Sequence, residues 1–399
     1  MRILFLSLYP IDDPKHGGQL RSQGLIAAYQ RAGHDVALAG VLGSEGYAQT
    51  NGFVSYPGDQ CLSSFALGGR GNEDYGIAKL FAEDHEFFSA LSRKIKVKPD
   101  VIHVEQPWLF DFARKYVGTL ADGHDIKLIY GSQNIEYLLK KDILQSAAHP
   151  DWERLTQAVL ELETRAMEQA DGVLCVSRHD EDWVRNHTAT PVQFAPNGIS
   201  PWVSTDEGVS AANNVSQQKR FALFCGSAHQ PNVNGFASLL AGGFGALNFD
   251  QRLVVAGAAG YLISQHEVLH KSPGLADHLI TAGMVSSECL SGLLETAHCI
   301  ILPLTQGGGT NLKTAEALWS GRHVVATSVA MRGFEAFIGA RGVVVEDTPE
   351  GFKKAIRTAM QAAPLMLTEQ EQSARRVVLW DACLHALPSF VETIVARAS

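Results

Sequence analysis

Short apolar runs alternate with longer helical patterns along the whole chain, and this alternation constrains the fold more than any other feature. The runs are continuous in Val, Ile and Leu, as in "RILFLSL" and "DVIHVEQ" in the first half and "RLVVAGAA" and "CIILPL" in the second. Such strands are typical of a parallel sheet that helices cover on both faces. The sequence therefore predicts an α/β protein with two doubly wound, Rossmann-like domains.

The helical patterns between these strands suggest where one domain ends and the next begins. They fall at residues 18–32, 151–169, 234–246, 286–297, 312–320 and 350–363. We place the boundary near "APNGISPW", so that residues 1–198 form an N-terminal domain and residues 199–380 a C-terminal domain. Residues 203–219 are polar and rich in Ser and Asn, which predicts a loop or linker. Residues 381–399 predict a helix that packs back on the N-terminal domain.

Composition excludes several classes of protein. The formal net charge of −9 and the pI of about 5.9 disfavour nucleic acid as a partner. Six scattered cysteines without a C-x-x-C pair favour buried thiols over a disulfide framework or a zinc site. We find no signal peptide and no apolar run of the roughly 18 residues that a membrane span needs. The expected location is the cytoplasm.

Three consecutive glycines, Gly307, Gly308 and Gly309, separate a predicted buried strand from a predicted helix. At such a strand end, bare backbone and helix N–H groups suit a phosphate, and Lys313 would add a positive charge. Glu316, one turn later, could accept hydrogen bonds from ribose hydroxyls. The pattern is not a Walker A motif, because no glycine precedes the lysine. The alternative is a flexible turn beside a solvated lysine.

A second glycine site, Gly17 and Gly18, follows the first predicted strand and opens an amphipathic helix. It also suits a phosphate, with Arg21 or Lys15 nearby, although an ordinary strand-to-helix turn explains it equally well. The pattern is not G-x-G-x-x-G, which disfavours a nicotinamide dinucleotide.

Further motifs surround the two glycine loops. They are "PDVIHVEQPWL" and "YGSQNIEYLL", then "CVSRHDEDW" and "APNGI", and then "FCGSAHQPNVNGFASLL" and "QGGGTNLKTAEALWSGRHVVAT". In this order they resemble the motifs of GT-B glycosyltransferases, most of all glycosyltransferase family 4 and its subgroup with a glycine-rich, lysine-containing donor loop. The resemblance extends from residue 1 to about residue 345.

This resemblance implies a GT-B fold whose two Rossmann-like domains face each other across a cleft, with the acceptor on the N-terminal side. It implies transfer of a sugar, with retention, from a nucleotide-sugar donor to a glycan, a lipid-linked acceptor or a small molecule, as in polysaccharide biosynthesis. The attack would come from the front face, with the leaving phosphate as base. We expect no metal, because Lys313 and backbone N–H groups can meet the phosphates, and no cofactor besides the nucleotide-sugar co-substrate.

Individual site residues follow from the same resemblance. Catalytic roles fall to His103, Lys313 and Glu316. The donor-binding residues are Gly17, Gly18, Arg21, Gly226, Ser227, Asn232, Gly283, Val285, Gly307, Gly308, Gly309, Thr310 and Asn311. The acceptor-side residues are Glu105, Gln106, Trp108, Asn134 and Glu136. For His103 the alternative is a hydrogen bond inside the domain, and for Trp108 it is packing in the core.

The sequence departs from the family pattern at three places. Many family 4 enzymes carry two glutamates in the donor loop; Glu316 matches the second, and Gly308 stands at the first. The stretch "SAHQPNVNG" lacks the Arg and Lys that often grip the diphosphate, and Gln133 stands where some relatives have His. Two alternatives therefore stay open: an inactive GT-B subunit that binds nucleotide or a protein partner, and a nucleotide-sugar 2-epimerase.

Two other motifs have a functional and an ordinary interpretation. "HEVLH" at residues 266–270 matches the zinc-binding pattern H-E-x-x-H, but a solvated helix face explains it as well. The basic run "RKIKVK" at residues 93–98 is either a solvated stretch or a peripheral contact with an anionic membrane at its inner face.

The glycine loop generates the first prediction. Replacement of Gly308 by tryptophan should abolish nucleotide binding and leave the fold intact, because a side chain there blocks the approach of phosphate to backbone N–H groups. Isothermal titration with nucleotides and circular dichroism of the variant would measure both. Unchanged nucleotide affinity would contradict the role of the loop.

Overall fold

The structure is a computed structural model that describes residues 1–14, 16–63, 71–242, 244–306 and 310–397. The chain forms two compact units. Unit 1 comprises Met1–Asn197 and Cys383–Ser399, and unit 2 comprises Gly198–Ala382.

Unit 1 is built on a parallel sheet. Its strands are β1 (Arg2–Ser7), β2 (Asp35–Val41), β3 (Phe53–Val54), β4 (Val101–Glu105), β5 (Lys127–Ser132), β6 (Gly172–Cys175) and β7 (Val192–Phe194). The helices before the crossover to unit 2 are α1 (Gly17–Arg31), α2 (Gln60–Ser63), α3 (Glu73–Glu83), α4 (His85–Ser92), α5 (Phe110–Gly118), α6 (Glu136–Ser146), α7 (Trp152–Gln169) and α8 (Arg178–His187). Across the described residues the strand order is β3-β2-β1-β4-β5-β6-β7, and every pair is parallel.

Unit 2 repeats the plan. Its strands are β8 (Arg220–Cys225), β9 (Gln251–Ala256), β10 (Leu279–Gly283), β11 (Cys299–Leu302), β12 (His323–Ala326) and β13 (Val343–Val345). Its helices are α9 (Asp206–Val215), α10 (Gln230–Leu240), α11 (Ala259–Gln265), α12 (Glu267–His270), α13 (Pro273–Ala276), α14 (Ser287–Thr296), α15 (Leu312–Trp319), α16 (Pro349–Gln361), α17 (Glu369–Ala374) and α18 (Trp380–Cys383). The described strands follow the order β10-β9-β8-β11-β12-β13, again all parallel.

Each sheet has one topological switch point, where the strand order changes from descending to ascending. It lies between β1 and β4 in unit 1 and between β8 and β11 in unit 2. Ligands of doubly wound sheets bind at such a switch point, outside the carboxyl ends of the strands. The prediction of two doubly wound, Rossmann-like domains is confirmed. The loops that carry most of the predicted site residues follow strands next to these switch points.

The cores lie on the faces of the sheets, as the continuous apolar strands require. In unit 2, alternate residues of one strand enter opposite cores: Leu223 belongs to one hydrophobic cluster, and Ala222 and Phe224 to the other. All residues of the central strands β4 and β11 are buried. Because these strands are buried on both faces, they lack the regular alternation of apolar and polar residues that is typical of a sheet with one exposed face.

The last helix, α19 (Leu387–Ala396), belongs to unit 1 although the chain reaches it from unit 2. It packs so closely on β6 that a Cβ atom at Gly172 would lie 2.4 Å from Ile394 Cδ1. In the turn between α1 and β2, His34 Nε2 lies 3.2 Å from Glu392 Oε1 of α19. The glycine in β6 is therefore needed for the helix to approach the sheet.

The prediction of a loop over residues 203–219 is wrong, because most of this stretch forms α9. The Thr205 hydroxyl accepts a hydrogen bond from Gly208 N at 3.1 Å and caps the helix. Gly208 and Gly292 then allow α9 to pack on α14, since a Cβ at Gly292 would lie 2.1 Å from Gly208 O. Polar composition indicated a linker, whereas the cap and this close packing stabilise a helix.

Candidate active site

In unit 2, two predicted donor-binding residues and the predicted catalytic Lys313 meet at the carboxyl ends of β8 and β11. Asn232, in the first turn of α10, donates through Nδ2 to Ser227 O at 2.9 Å and to Ser227 Oγ at 3.2 Å. The Asn232 Oδ1 atom accepts a hydrogen bond of 2.7 Å from Lys313 Nζ in the first turn of α15. The side chain of Asn232 therefore ties the loop after β8 to the helix that follows β11.

Lys313 and Glu316 lie one turn apart on α15, and both are partly buried. Burial lowers the pKa of Lys313, although Cys225 and Glu316 oppose this shift. Burial raises the pKa of Glu316 to about 7, against the attraction of Lys313. The observed partner of Lys313 Nζ is a neutral amide oxygen rather than a carboxylate. An anionic ligand here would therefore meet a desolvated ammonium group whose protonation it would favour.

The remaining predicted donor residues of unit 2 lie on neighbouring loops. Gly226 follows β8, and Gly283 ends β10 with a φ of 65°. Between them, Gly257 N donates to Gly283 O at 2.7 Å, and a Cβ at Gly257 would lie 2.3 Å from Gly226 O. Gly257 was not among the predicted residues, although its place after the apolar run "RLVVA" is a detectable signal. These glycines let the three loops pack against each other.

Residues around the triple glycine are described in part. Asn311 is the N-cap residue of α15, and Thr310 precedes it. Val285 packs at the edge of the unit 2 core, beyond the end of β10. Gly307, Gly308 and Gly309 lie outside the described residues, as does Lys15, the alternative cation at the first glycine site.

In unit 1, a buried charge network occupies the switch point. Arg21 Nε donates to Glu105 Oε1 at 2.9 Å, and His103 Nε2 lies 2.8 Å from Glu105 Oε2. The other ring nitrogen of His103 lies 2.9 Å from the hydroxyl of Tyr29. Arg21 Nη1 also donates to Ala195 O, at 2.8 Å. The network connects α1, β4 and the end of the last strand of the sheet.

The network holds Glu105 as a carboxylate. Burial opposes ionisation, but Arg21 and the hydrogen bond with His103 outweigh it, so that the pKa of Glu105 is lower than usual. Gly131, which pairs with Glu105 in the register of β4 and β5, leaves the space for this arrangement. A Cβ at Gly131 would lie 2.0 Å from Glu105 Oε2 and 2.7 Å from His103 Nε2. Sequence reasoning did not select Gly131.

These contacts bear on the roles predicted for His103 and Arg21. His103 is fully buried, with both ring nitrogens engaged by Tyr29 and Glu105, so it has no nitrogen left for a substrate. Arg21 is 1% exposed, and its Nη1 also donates to Asn197 Oδ1 at 3.0 Å. The geometry therefore matches the alternative of a histidine bonded inside the domain, whereas Arg21 keeps one buried nitrogen, Nη2, without a hydrogen-bond partner among the described residues.

The first glycine site lies beside this network. Gly17 and Gly18 form the first turn of α1, where backbone N–H groups lack partners within the helix. A Cβ at Gly18 would lie 2.6 Å from the Tyr9 hydroxyl and 3.1 Å from Gln133 Oε1. Gln133 Nε2 donates a short hydrogen bond to that hydroxyl. The glycine lets the helix begin in close contact with these two polar side chains.

Three predicted acceptor-side residues come together after β4 and β5. Glu136 Oε1 accepts hydrogen bonds from Gln106 Nε2 at 3.1 Å and from Asn134 Nδ2 at 3.5 Å. Burial, only partly offset by Lys140, raises the pKa of Glu136 to about 7. Trp108 is 1% exposed and packs under Lys140, which corresponds to the alternative of core packing.

Glu163, a residue that sequence reasoning missed, holds the start of α6 in place. Its carboxylate accepts hydrogen bonds from the backbone N–H groups of Glu136 and Tyr137, each at 2.9 Å. The Tyr130 hydroxyl donates to the same carboxylate at 3.1 Å. Carboxylates at a helix N-terminus satisfy donors that have no partner within the helix. Glu163 comes from α7, 27 residues later in the chain than Glu136, so no local motif reveals it.

The two motifs with ordinary interpretations show ordinary contacts. Glu267, in "HEVLH", pairs with Lys271 at 2.7 Å. No group of three or more His, Cys, Asp or Glu side chains that could hold a metal ion occurs in the described part of the chain. Lys98, in the basic run, pairs with Asp122 at 2.8 Å. None of the helices in the described ranges is both long and apolar enough to span a membrane.

Comparisons with known proteins agree with the motifs. A family model described as Glycosyltransferase Family 4 matches residues 17–202, and one described as Glycosyl transferases group 1 matches residues 219–362. No curated protein matches the chain. The chain is therefore a GT-B glycosyltransferase of the family 4 type, and this prediction is confirmed.

Solved structures show the same fold over the whole chain. Sucrose-phosphate synthase from Thermosynechococcus elongatus is 15% identical, with a TM-score of 0.71 and 99% of each chain covered. The catalytic domain of starch synthase IV from Arabidopsis thaliana, bound to ADP and acarbose, is 12% identical, with a TM-score of 0.64 and 100% of this chain and 99% of that chain covered. Anabaena HepE in complex with UDP and glucose is 13% identical, with a TM-score of 0.60 and coverage of 98% and 100%.

The buried network of unit 1 generates a stability prediction. Gly131→Ala should lower the free energy of unfolding by about 3 kcal/mol or more, because the new methyl group forces Glu105 away from its buried partners. Gly118→Ala is the matched control, since a Cβ there meets nothing within 4 Å. Urea denaturation followed by circular dichroism measures both variants. Equal stabilities would contradict the role assigned to Gly131.

Proposed function

We propose that the protein transfers a sugar from a nucleotide-sugar donor and that unit 2 binds the donor. The observation that carries this proposal is the position of Lys313 at the switch point. Its Nζ donates a hydrogen bond to the neutral amide oxygen of Asn232, which competes only weakly with a phosphate for the ammonium group. Related structures support it: Anabaena HepE forms a complex with UDP and glucose, and the catalytic domain of starch synthase IV is bound to ADP and acarbose.

In this reaction unit 2 must stabilise the negative charge that develops on the nucleoside diphosphate leaving group. As the bond from sugar to phosphate breaks, negative charge builds on the nucleoside diphosphate, and preorganised donors stabilise it. Lys313 supplies a cation, and the first turns of α10 and α15 supply N–H groups. Glu316 would accept hydrogen bonds from ribose hydroxyls. In this proposal Lys313 and the N–H groups do the work for which other transferases use a divalent cation.

The stereochemistry and the acceptor belong to the same proposal. We expect retention, with front-face attack and the leaving phosphate as base, because family 4 enzymes of this fold work in this way according to the resemblance. The acceptor would bind to unit 1 and would be a glycan, a lipid-linked sugar or a small molecule. For a lipid-linked acceptor, residues 93–98 would add contact with an anionic membrane surface.

Nucleotide binding tests the donor proposal first. Thermal unfolding is measured with UDP, GDP, ADP, CMP and dTDP, each with and without EDTA. A cognate nucleotide at about 100 times its Kd should add about 2.7 kcal/mol of stability, and EDTA should not remove it. Absence of any stabilising nucleotide would contradict the proposal, and loss of the effect with EDTA would contradict its metal independence.

Lys313→Met sharpens this test. The variant should lose most of the stabilisation by the cognate nucleotide, because methionine keeps the length of the side chain and removes its charge. The unliganded variant should be slightly less stable than the wild type, because Asn232 Oδ1, on a buried side chain, loses its hydrogen-bond donor. Lys271→Met is the control, because Lys271 is a largely exposed lysine of the same unit. Full nucleotide stabilisation of Lys313→Met would assign the phosphate site to other groups.

A second candidate has its own observation in the donor loop. Gly308 stands where many relatives have Glu, and residues 226–235 contain no Arg or Lys. An inactive subunit that binds nucleotide or a protein partner would fit these departures. Turnover of any nucleotide-sugar, measured by release of the nucleoside diphosphate, would exclude this candidate.

A further inference from the structure

Helix α15 carries Lys313 and Glu316, but its own sequence does little to hold it in place. It has only eight residues, and isolated helices so short are at best marginally stable in water. Asn311 at its N-cap forms no side-chain cap with the described residues. On its buried face, the Thr314 hydroxyl donates a hydrogen bond of 2.6 Å to Ala330 O. The position of the two charged side chains therefore depends on contacts between α15 and the rest of unit 2.

Arg375 provides one of these contacts at the C-terminal end of α15. It opens a single 3₁₀ turn, Arg375–Val378, and is 3% exposed. Its Nη1 donates to Leu318 O at 2.7 Å, and its Nη2 donates to Arg341 O at 3.2 Å. The last carbonyl groups of a helix lack partners within it and carry partial negative charge, so a cation stabilises them. Arg375 thus caps α15 from a position 57 residues further along the chain than Leu318.

The burial of Arg375 indicates that its position matters. Burial lowers the pKa of this guanidinium group, and the attraction of Glu371 offsets the effect only in part. The carboxylate of Glu371 lies 3.3 Å from Arg341 Nη1 and pairs with that side chain. An apolar side chain in place of Arg375 would avoid the cost of burying a charge. What the arginine provides is a fixed distance between its own turn and the end of α15.

The 3₁₀ turn leads directly into the stretch that returns the chain to unit 1. We call residues 375–382 the return segment. Ile199 N donates to Val378 O at 2.9 Å, and Trp380 N donates to Ile199 O at 3.1 Å. Ile199 belongs to the stretch by which the chain enters unit 2, so the entering and returning stretches lie side by side within this unit. The return segment therefore contacts both the entering stretch and, through Arg375, helix α15.

We propose that Arg375 is a positioning residue for Lys313 and Glu316, and that it couples the binding of a nucleoside diphosphate at α15 to the order of the return segment. This inference rests on the proposed function and adds a residue that acts through α15 rather than by contact with the substrate. A ligand that fixes Lys313 also restrains the far end of the same two-turn helix, and Arg375 transmits that restraint. Because such coupling is reciprocal, a loosened return segment should weaken nucleotide binding, and a bound nucleotide should order the return segment.

Chemical labelling of Lys313 tests the positioning role without any nucleotide. Acetic anhydride at a limiting concentration acetylates the lysines of the full chain, and mass spectrometry measures the rate at each site. In Arg375→Met, Lys313 should react about fivefold faster than in the wild type, because α15 loses a hydrogen bond that keeps this amine against Asn232. The exposed Lys271 should react at an equal rate in both proteins. An unchanged rate at Lys313 in the folded variant would overturn the inference.

Further variants separate positioning from a general loss of stability. Arg375→Lys keeps a cation at the end of α15, so Lys313 should react within about twofold of the wild-type rate. Ile356→Ala removes buried atoms from the other hydrophobic cluster of unit 2 and should leave the rate at Lys313 unchanged. Acceleration in Ile356→Ala as large as in Arg375→Met would contradict a specific role of Arg375. If Arg375→Met does not fold, Arg375→Gln, which keeps one donor, takes its place.

Hydrogen exchange tests the coupling in the wild-type chain. Saturation with the stabilising nucleotide should slow amide exchange in the return segment about fivefold more than in α9, which reports the general stabilisation of unit 2. In Arg375→Met this excess protection should disappear, and nucleotide affinity should fall about tenfold. Equal protection of the return segment and α9 in the wild type would overturn the coupling. Failure of the proposed function gives a different result: no nucleotide would stabilise the wild type, while the labelling of Lys313 would still decide the role of Arg375.

Discussion

Every strand pair in the described part of both units is parallel, and the position of the candidate sites depends on this constraint. Parallel strands need a crossover after each strand, so all strands of a sheet end at the same edge. The loops after β1, β4 and β5 therefore bring together residues that are far apart in the chain, such as Tyr9 and Gln133. In unit 2 the same rule brings Asn232 to Lys313.

The buried pair of Arg21 and Glu105 shows what else unit 1 requires. Burying two charges is costly, and hydrogen bonds to their remaining atoms offset part of that cost. His103 bonds one carboxylate oxygen, and Ala195 O and Asn197 Oδ1 accept from Arg21 Nη1, whereas Arg21 Nη2 is buried without a hydrogen-bond partner among the described residues. Arginine suits this position because its planar fork reaches partners in several directions, which a lysine could not do. The network fixes α1 against β4 and holds the last residues before the crossover.

The carboxyl edges of the two sheets differ in charge although their strand orders are alike. In unit 2, Lys313 is bonded to an amide, and burial raises the pKa of Glu316 to about 7, so that this acid is only partly ionised at neutral pH. In unit 1, the buried Arg21 is paired with Glu105, and the partly exposed side chains after β4 and β5 include the amides of Gln106, Gln133 and Asn134. A site with a desolvated cation beside a partly ionised acid suits a nucleoside diphosphate.

Much of the fold could be predicted because it depends on local patterns. Continuous Val, Ile and Leu runs followed by helical patterns determined two parallel sheets, and the glycine- and amide-bearing loops at the strand ends indicated where a ligand would bind. The short edge strands Phe53–Val54 and Val192–Phe194 carry too few residues for such a pattern, and α9 depends on a cap and on packing against α14.

Only the tertiary structure decided how the site residues are used. Arg21 and His103 looked available to a ligand in the sequence, but Arg21 pairs with Glu105, 84 residues away, and His103 bonds Tyr29, 74 residues away, as well as Glu105 on its own strand. The same holds for Glu163 and Gly131, which act through α6 and through Glu105. Residue type and spacing determine which side chains lie in the loops at the carboxyl ends of the strands. Burial and long-range hydrogen bonds, which no local pattern encodes, decide which of those groups remain free to meet a substrate.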